Sequence, residues 1–262
     1  MPAIRSVRLA VAAIAVAALA SSCSSSTGSG DASPDVTGGQ TVTVLAASSL
    51  TGAFTTLAGQ FEAAHPGSSV ALSFGSSSTL ATQVIDGAPA DVLATASPGS
   101  MQPVVDASLT DGKPKLLATN AVAVALPADN SAGVTSLTDL ANPDVKVAVC
   151  VETAPCGSVA TDLFASAGLT VTPITQEIDV KSVLAKVITG EVDAGVVYVT
   201  DVQAAGADVV SLPVPPKDVV TTDYLIAPLS ESAQPQLASE FTDFVLSNTG
   251  QQVLADAGFR TQ

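Results

Sequence analysis

The chain has 262 residues, of which 24 are Asp or Glu and 9 are Lys or Arg, a formal net charge of −15. That excess of negative charge repels nucleic acid and anionic membrane surfaces at long range and argues against both as partners. It does not exclude a small anion, because salt screens surface charge beyond about 8 to 10 Å and a cleft lined by neutral donors sets its own local field.

Arg5 and Arg8 precede an apolar stretch at 9–19 that is too short to span a bilayer and ends in Ala20-Ser21-Ser22-Cys23. This reads as an export signal. A Cys directly after small residues resembles the bacterial lipoprotein signal, which implies a signal peptide over 1–22 and lipidation of Cys23; Ala20 stands where a larger aliphatic is usual. The alternative is an ordinary secretory signal cut near Cys23. Residues 23–40, rich in Ser, Gly, Thr and Asp, cannot bury enough apolar surface to fold and are expected to be a flexible tether. The remainder, 41–262, is longer than one typical core needs, so one large or two smaller α/β domains are expected, with an aliphatic interior because the chain has no Trp.

From residue 41 the pattern alternates between strand and helix. A strand at 41–45 is followed by a helix at 50–64, a strand at 69–74, a helix at 78–86, a strand at 91–95 and a short helix at 101–107. The apolar run 121–126 reads as a long strand able to cross between lobes, followed by a helix at 137–141 and a strand at 146–150. A helix at 158–167 leads through a strand or loop ending at Ile174 to a helix at 180–189, a strand at 194–198, a helix at 200–205 and a strand at 209–212. The segment 222–228 is a candidate return crossing, and helices at 234–246 and 250–257 close the chain. This is βαβ alternation, the signature of an α/β fold.

Two strand ends carry clusters of small hydroxyl residues, Ala46-Ala47-Ser48-Ser49-Leu50 and Phe74-Gly75-Ser76-Ser77-Ser78-Thr79-Leu80. A helix start leaves backbone N–H groups unpaired and carries partial positive charge, so it can hold an oxyanion without Lys or Arg. Each Ser taken singly could be only an N-cap, but each cluster has more hydroxyls than a cap requires and lies at a strand end, where open α/β sheets bind ligands. With Cys23 assigned to lipid, Cys150 and Cys156 remain as a pair for which a disulfide is expected in an oxidising compartment. Zinc is the rival reading, disfavoured because the single His, His65, is far off in a turn-like Ala-His-Pro-Gly. No Gly-x-Ser-x-Gly elbow, phosphate-binding loop, zinc helix or dinucleotide fingerprint is present, so nothing in the sequence supports an enzyme.

Four stretches carry a specific resemblance: Ala-Ala-Ser-Ser-Leu-Thr-Gly-Ala-Phe from Ala46, Phe-Gly-Ser-Ser-Ser-Thr-Leu-Ala from Phe74, Gly-Ala-Pro-Ala-Asp-Val from Gly87, and Gly-Val-Val-Tyr-Val-Thr-Asp from Gly195. In order and spacing the chain resembles the periplasmic molybdate-binding proteins of ABC importers. The resemblance implies the two-lobed type II periplasmic binding protein fold, each lobe a mixed sheet flanked by helices, with the ligand cleft between lobes. The implied division is 41–120 with 225–262 as lobe 1 and 121–224 as lobe 2. It implies no cofactor and no enzymatic activity, molybdate or tungstate as ligand, an ABC permease as partner, and a monomer held on the outer face of the cell membrane by its lipid.

The same resemblance implies a shell of Ser49 and Ser77 from one lobe and the Cys156 N–H, the Val180 N–H and Tyr198 from the other, with no protein atom bound to the metal itself. Cys156 stands where the family has Ala in Pro-Ala-Gly; only its backbone donates, so the departure is tolerable. A tetraoxo dianion has no proton to give, so a donor-only shell suits it, and carboxylates near it would repel it. The alternatives are a sulfate-type or phosphate-type receptor on the same fold, phosphate being disfavoured by the lack of an acceptor Asp within the Ser clusters, and an exported hydrolase using a Ser from Ser76 to Ser78.

Overall fold

The structure, a computed structural model, describes residues 40–262. The expected signal peptide, Cys23 and the expected tether lie outside the described residues, except that Gln40 opens the first strand and pairs with Ser68. The strands are β1 (Gln40–Ala47), β2 (Ser68–Gly75), β3 (Val92–Thr95), β4 (Lys115–Pro127), β5 (Val147–Cys150), β6 (Thr175–Glu177), β7 (Ala194–Tyr198), β8 (Val209–Leu212) and β9 (Thr221–Pro228). The helices are α1 (Thr51–Ala64), α2 (Ser77–Ile85), α3 (Pro98–Asp106), α4 (Pro155–Ala167), α5 (Val180–Ile188), α6 (Val199–Ala205), α7 (Pro235–Leu246) and α8 (Asn248–Asp256).

The strands form one mixed sheet in the order β2-β1-β3-β9-β4-β7-β5-β6, with β8 also on β4. Two differences from the sequence expectation concern the crossings. β4 runs for 13 residues, starting six before the apolar run that announces it. Its first part pairs with β9 as far as Ala121, and from Val122 it pairs with β7. The crossing therefore falls at the start of 121–126, not along it. Likewise β9 pairs only with β3 and β4, so the return is made just before it, where Val122 N–H donates to the Val220 carbonyl at 2.8 Å.

Packing follows this division. Residues 122–220 share one apolar core, while 42–118 and 224–259 contribute to two others. Strands β3, β5 and β7 are buried along their whole length, as expected where helices cover both faces of a sheet. Two glycines permit close approaches. A Cβ on Gly195 of β7 would stand 2.6 Å from Val187 of α5, and one on Gly157 of α4 would stand 2.0 Å from the Val151 carbonyl. No helix among the described residues is long and apolar enough to cross a membrane.

Candidate functional site

β1 ends in a tight 3₁₀ turn, Ser48–Leu50, that leads into α1 and buries both serines. β2 ends at Gly75, and Ser76 occupies the N-cap position of α2. Neither start uses a serine side chain as its cap, whereas Ser97, Asp179 and Ser247 cap α3, α5 and α8 in the ordinary way. The hydroxyls at the first two helix starts are thus not spent on capping. Ser77 Oγ accepts the Ala96 N–H at 2.9 Å, which leaves its own proton free.

From the other body, α4 begins at Pro155, three residues before the expected start, because Pro at the first position has no N–H to lose and a φ preset for helix. Cys156 consequently lies in the first turn. The Gly157 and Ser158 N–H groups bond the Ala154 carbonyl, so the Cys156 N–H is left among the unpaired donors of that helix start. Cys150 and Cys156 form a disulfide that ties this turn to the end of β5. Val180 is the first residue of α5, whose cap Asp179 accepts from the Ser182 N–H at 3.0 Å.

Tyr198 ends β7. Its own N–H donates to Asp201 Oδ2 at 3.1 Å, while its hydroxyl is fully buried and has no partner in the protein. An orphaned buried hydroxyl is costly unless a ligand completes it.

All five residues named from the sequence, Ser49, Ser77, Cys156, Val180 and Tyr198, line one narrow cavity of about 10 Å³, together with Ala47, Ser48, Ser76, Ala96 and Asp179. A wider space of about 270 Å³, lined by hydroxyls including Ser78, Ser97, Ser100 and Ser158, adjoins it at Pro155. The electrostatics favour neutral donors. Burial, then the neighbouring Tyr224 and Asp201, pushes the Tyr198 phenol well above the usual tyrosine range, so it stays protonated. Asp201 is itself raised by burial, opposed by Lys181, whose ammonium lies 2.9 Å away.

Four features of the site escape the sequence. Asp179 is a carboxylate at the cavity wall, against the expectation that none would approach, but its Oδ1 is engaged in capping α5. Asp201, Asn120 and Tyr224 are buried behind the lining residues and carry no local motif. His65 stacks on Phe61 and has its Nδ1 2.9 Å from the Phe61 carbonyl, so it is no base for Ser76 to Ser78. Among the described residues, no group of three or more His, Cys, Asp or Glu could hold a metal ion.

Comparison with known proteins gives a consistent picture. The family model of bacterial extracellular solute-binding proteins matches residues 42–260. The molybdate-binding protein ModA of Mycobacterium tuberculosis H37Rv is 39% identical over 236 residues, 90% of each chain. Among solved structures, the periplasmic molybdate-binding protein of Azotobacter vinelandii aligns with a TM-score of 0.75 at 20% identity, covering 84% of this chain and 99% of that one. The sulfate-binding protein SubI of Mycobacterium tuberculosis aligns with the same TM-score of 0.75 at 19% identity, covering 85% and 87%. The likeness to these two structures is one of fold, the two-lobed mixed α/β architecture expected from the sequence.

Proposed function

This chain belongs to the bacterial extracellular solute-binding protein family, and from that premise we propose that it binds molybdate between two lobes and delivers it to the permease of an ABC importer. It is a binding protein, not an enzyme, and its ligand is an oxyanion rather than a cofactor. The finer reading adds tungstate as an alternative ligand, a lipid on Cys23 that anchors a monomer to the outer face of the cell membrane, and a division into 41–120 with 225–262 and 121–224. In the proposed shell, Ser49 and Ser77 donate through hydroxyl and backbone from the first lobe. Cys156 and Val180 donate backbone N–H groups and Tyr198 its phenol from the second.

The observation that carries this reading is the convergence of helix starts and unspent hydroxyls, including the orphaned Tyr198 hydroxyl, on one small cavity. Molybdate is a tetrahedral dianion with four acceptor oxygens and no proton, so a shell of donors fits it, with Asp179 the carboxylate at the wall, held by its capping bond. A ligand that binds only the folded state raises its stability by mass action. Molybdate and tungstate should therefore raise the thermal midpoint of the mature protein, while sulfate or phosphate at equal concentration does little. Calorimetry in which sulfate binds as tightly as molybdate would overturn the selectivity.

A further inference from the structure

Behind Ser49 runs a chain of buried hydrogen bonds outside the proposed shell. Ser49 Oγ is 2.8 Å from Tyr224 Oη. Tyr224 Oη accepts from Asn120 Nδ2 at 3.4 Å, and the same amide nitrogen donates to Thr200 Oγ1 at 2.9 Å. Asn120 and Tyr224 are 1% and 0% exposed, so water does not complete these groups from outside.

The direction of the chain is set at one end. The Ala121 N–H donates to Asn120 Oδ1 at 2.9 Å, and turning the amide over would set two donors against each other. The Nδ2 hydrogens therefore go to Thr200 and Tyr224. Tyr224 Oη, already accepting from Asn120, has one proton of its own, and giving it to Ser49 Oγ, 2.8 Å away, continues the chain in the same direction. In that direction Ser49 receives a proton from the protein side and has its own left for the cavity. Burial raises the Tyr224 phenol far above the usual tyrosine range, so that proton is not lost.

We propose that Tyr224, oriented by Asn120, is a positioning residue that commits the Ser49 hydroxyl to donating into the cavity, and so biases the site against oxyanions that carry a proton. A serine free to rotate can donate to one oxyanion and accept from the protonated edge of another. With one lone pair filled by Tyr224 and its proton turned outward, Ser49 meets a ligand proton with a proton. Asn120 sits on β4 beside its crossing and Tyr224 three residues into β9, so the donor direction is set by these strands rather than within α1. This inference rests on the oxyanion reading of the cavity.

The test is a double-mutant cycle on Tyr224→Phe, which keeps the ring and removes only the hydroxyl, and Ser49→Ala. The two single variants and the double variant are titrated with molybdate, alone and in competition with monohydrogen phosphate at pH 8. Tyr224→Phe should weaken molybdate roughly tenfold and narrow the molybdate-to-phosphate ratio, and the double variant should bind no more weakly than Ser49→Ala alone. Additive losses, or a Tyr224→Phe protein with unchanged affinity and ratio, would overturn the assignment. If Tyr224→Phe melts below the assay temperature, Asn120→Ala replaces it in the same cycle with the same two criteria. Failure of the unmodified protein to bind molybdate at all would instead sink the oxyanion reading, an outcome seen separately.

Discussion

Neighbouring serines at the start of α2 keep different company. Ser77 is 1% exposed and its oxygen is held by the Ala96 N–H, whereas Ser76 Oγ lies 3.1 Å from Ser78 Oγ. An anchored hydroxyl with a free proton is the better donor. A hydrogen bond to a charged group contributes about 1.5 to 3 kcal/mol, so Ser77→Ala should weaken molybdate by roughly 10- to 100-fold and Ser76→Ala by less. Calorimetry of the two variants checks this, and equal, negligible losses would reduce the triplet to a plain helix start. Tyr198 makes a prediction in pH. A phenol whose pKa is raised by folding contributes stability below the unfolded tyrosine value of about 10 and loses it as pH climbs beyond. Molybdate affinity should accordingly stay level from about pH 7 to 9.5, with folding weakening only above that range. A decline setting in near pH 8 would show that a donor of the shell ionises early.

The junction of β5 and α4 is where local structure and the proposed site meet. The Cys150–Cys156 disulfide closes a short loop around residues 151–155, a constraint that contributes about 2 kcal/mol by limiting the unfolded chain. Gly157 lies one residue beyond, pressed against the Val151 carbonyl. Gly157→Ala should therefore destabilise by about 1 to 3 kcal/mol and weaken ligand binding, since the first turn of α4 must shift to admit the methyl. Urea unfolding with parallel calorimetry checks both, and a variant as stable and as tight as the parent would show that the junction yields without cost.

Most elements are legible in the sequence because apolar period and helix-start chemistry agree, as in β7, where expected and observed limits coincide. The misses have local causes. α3 begins at Pro98 because Ser97 caps it, and 137–141 tightens into a 3₁₀ turn. The first part of β4 and all of β6 are too polar or too short to show a pattern. The five residues proposed for the shell are named from motif resemblance, and they line one cavity. Asn120 and Tyr224 are not, because their meeting depends on the register that sets Ala118 opposite Tyr224 and Asn120 opposite Thr222, a nonlocal fact.

At the scale of the molecule, two apolar bodies meet through β4, β9 and a few polar ties, among them Gln203 Nε2 donating to the Asp256 carbonyl at 2.7 Å. The proposed donors divide between the bodies, Ser49 and Ser77 on one and Cys156, Val180 and Tyr198 on the other, so neither set surrounds an anion alone. A ligand held by both should favour the closed arrangement. Small-angle scattering of the mature protein should give a smaller radius of gyration with molybdate than without, and identical curves would count against closure. The sheet order also dictates a timetable. β9, from the last fifth of the chain, lies between β3 and β4, and α7 and α8, which cover the same body, come later still. The body built on 122–220 is continuous in sequence, so all its core residues are present once that stretch is made. Its neighbour waits with a gap in its sheet until synthesis is nearly over. For most of its synthesis the chain therefore holds one body whose strands are all made and one that still lacks its middle strand.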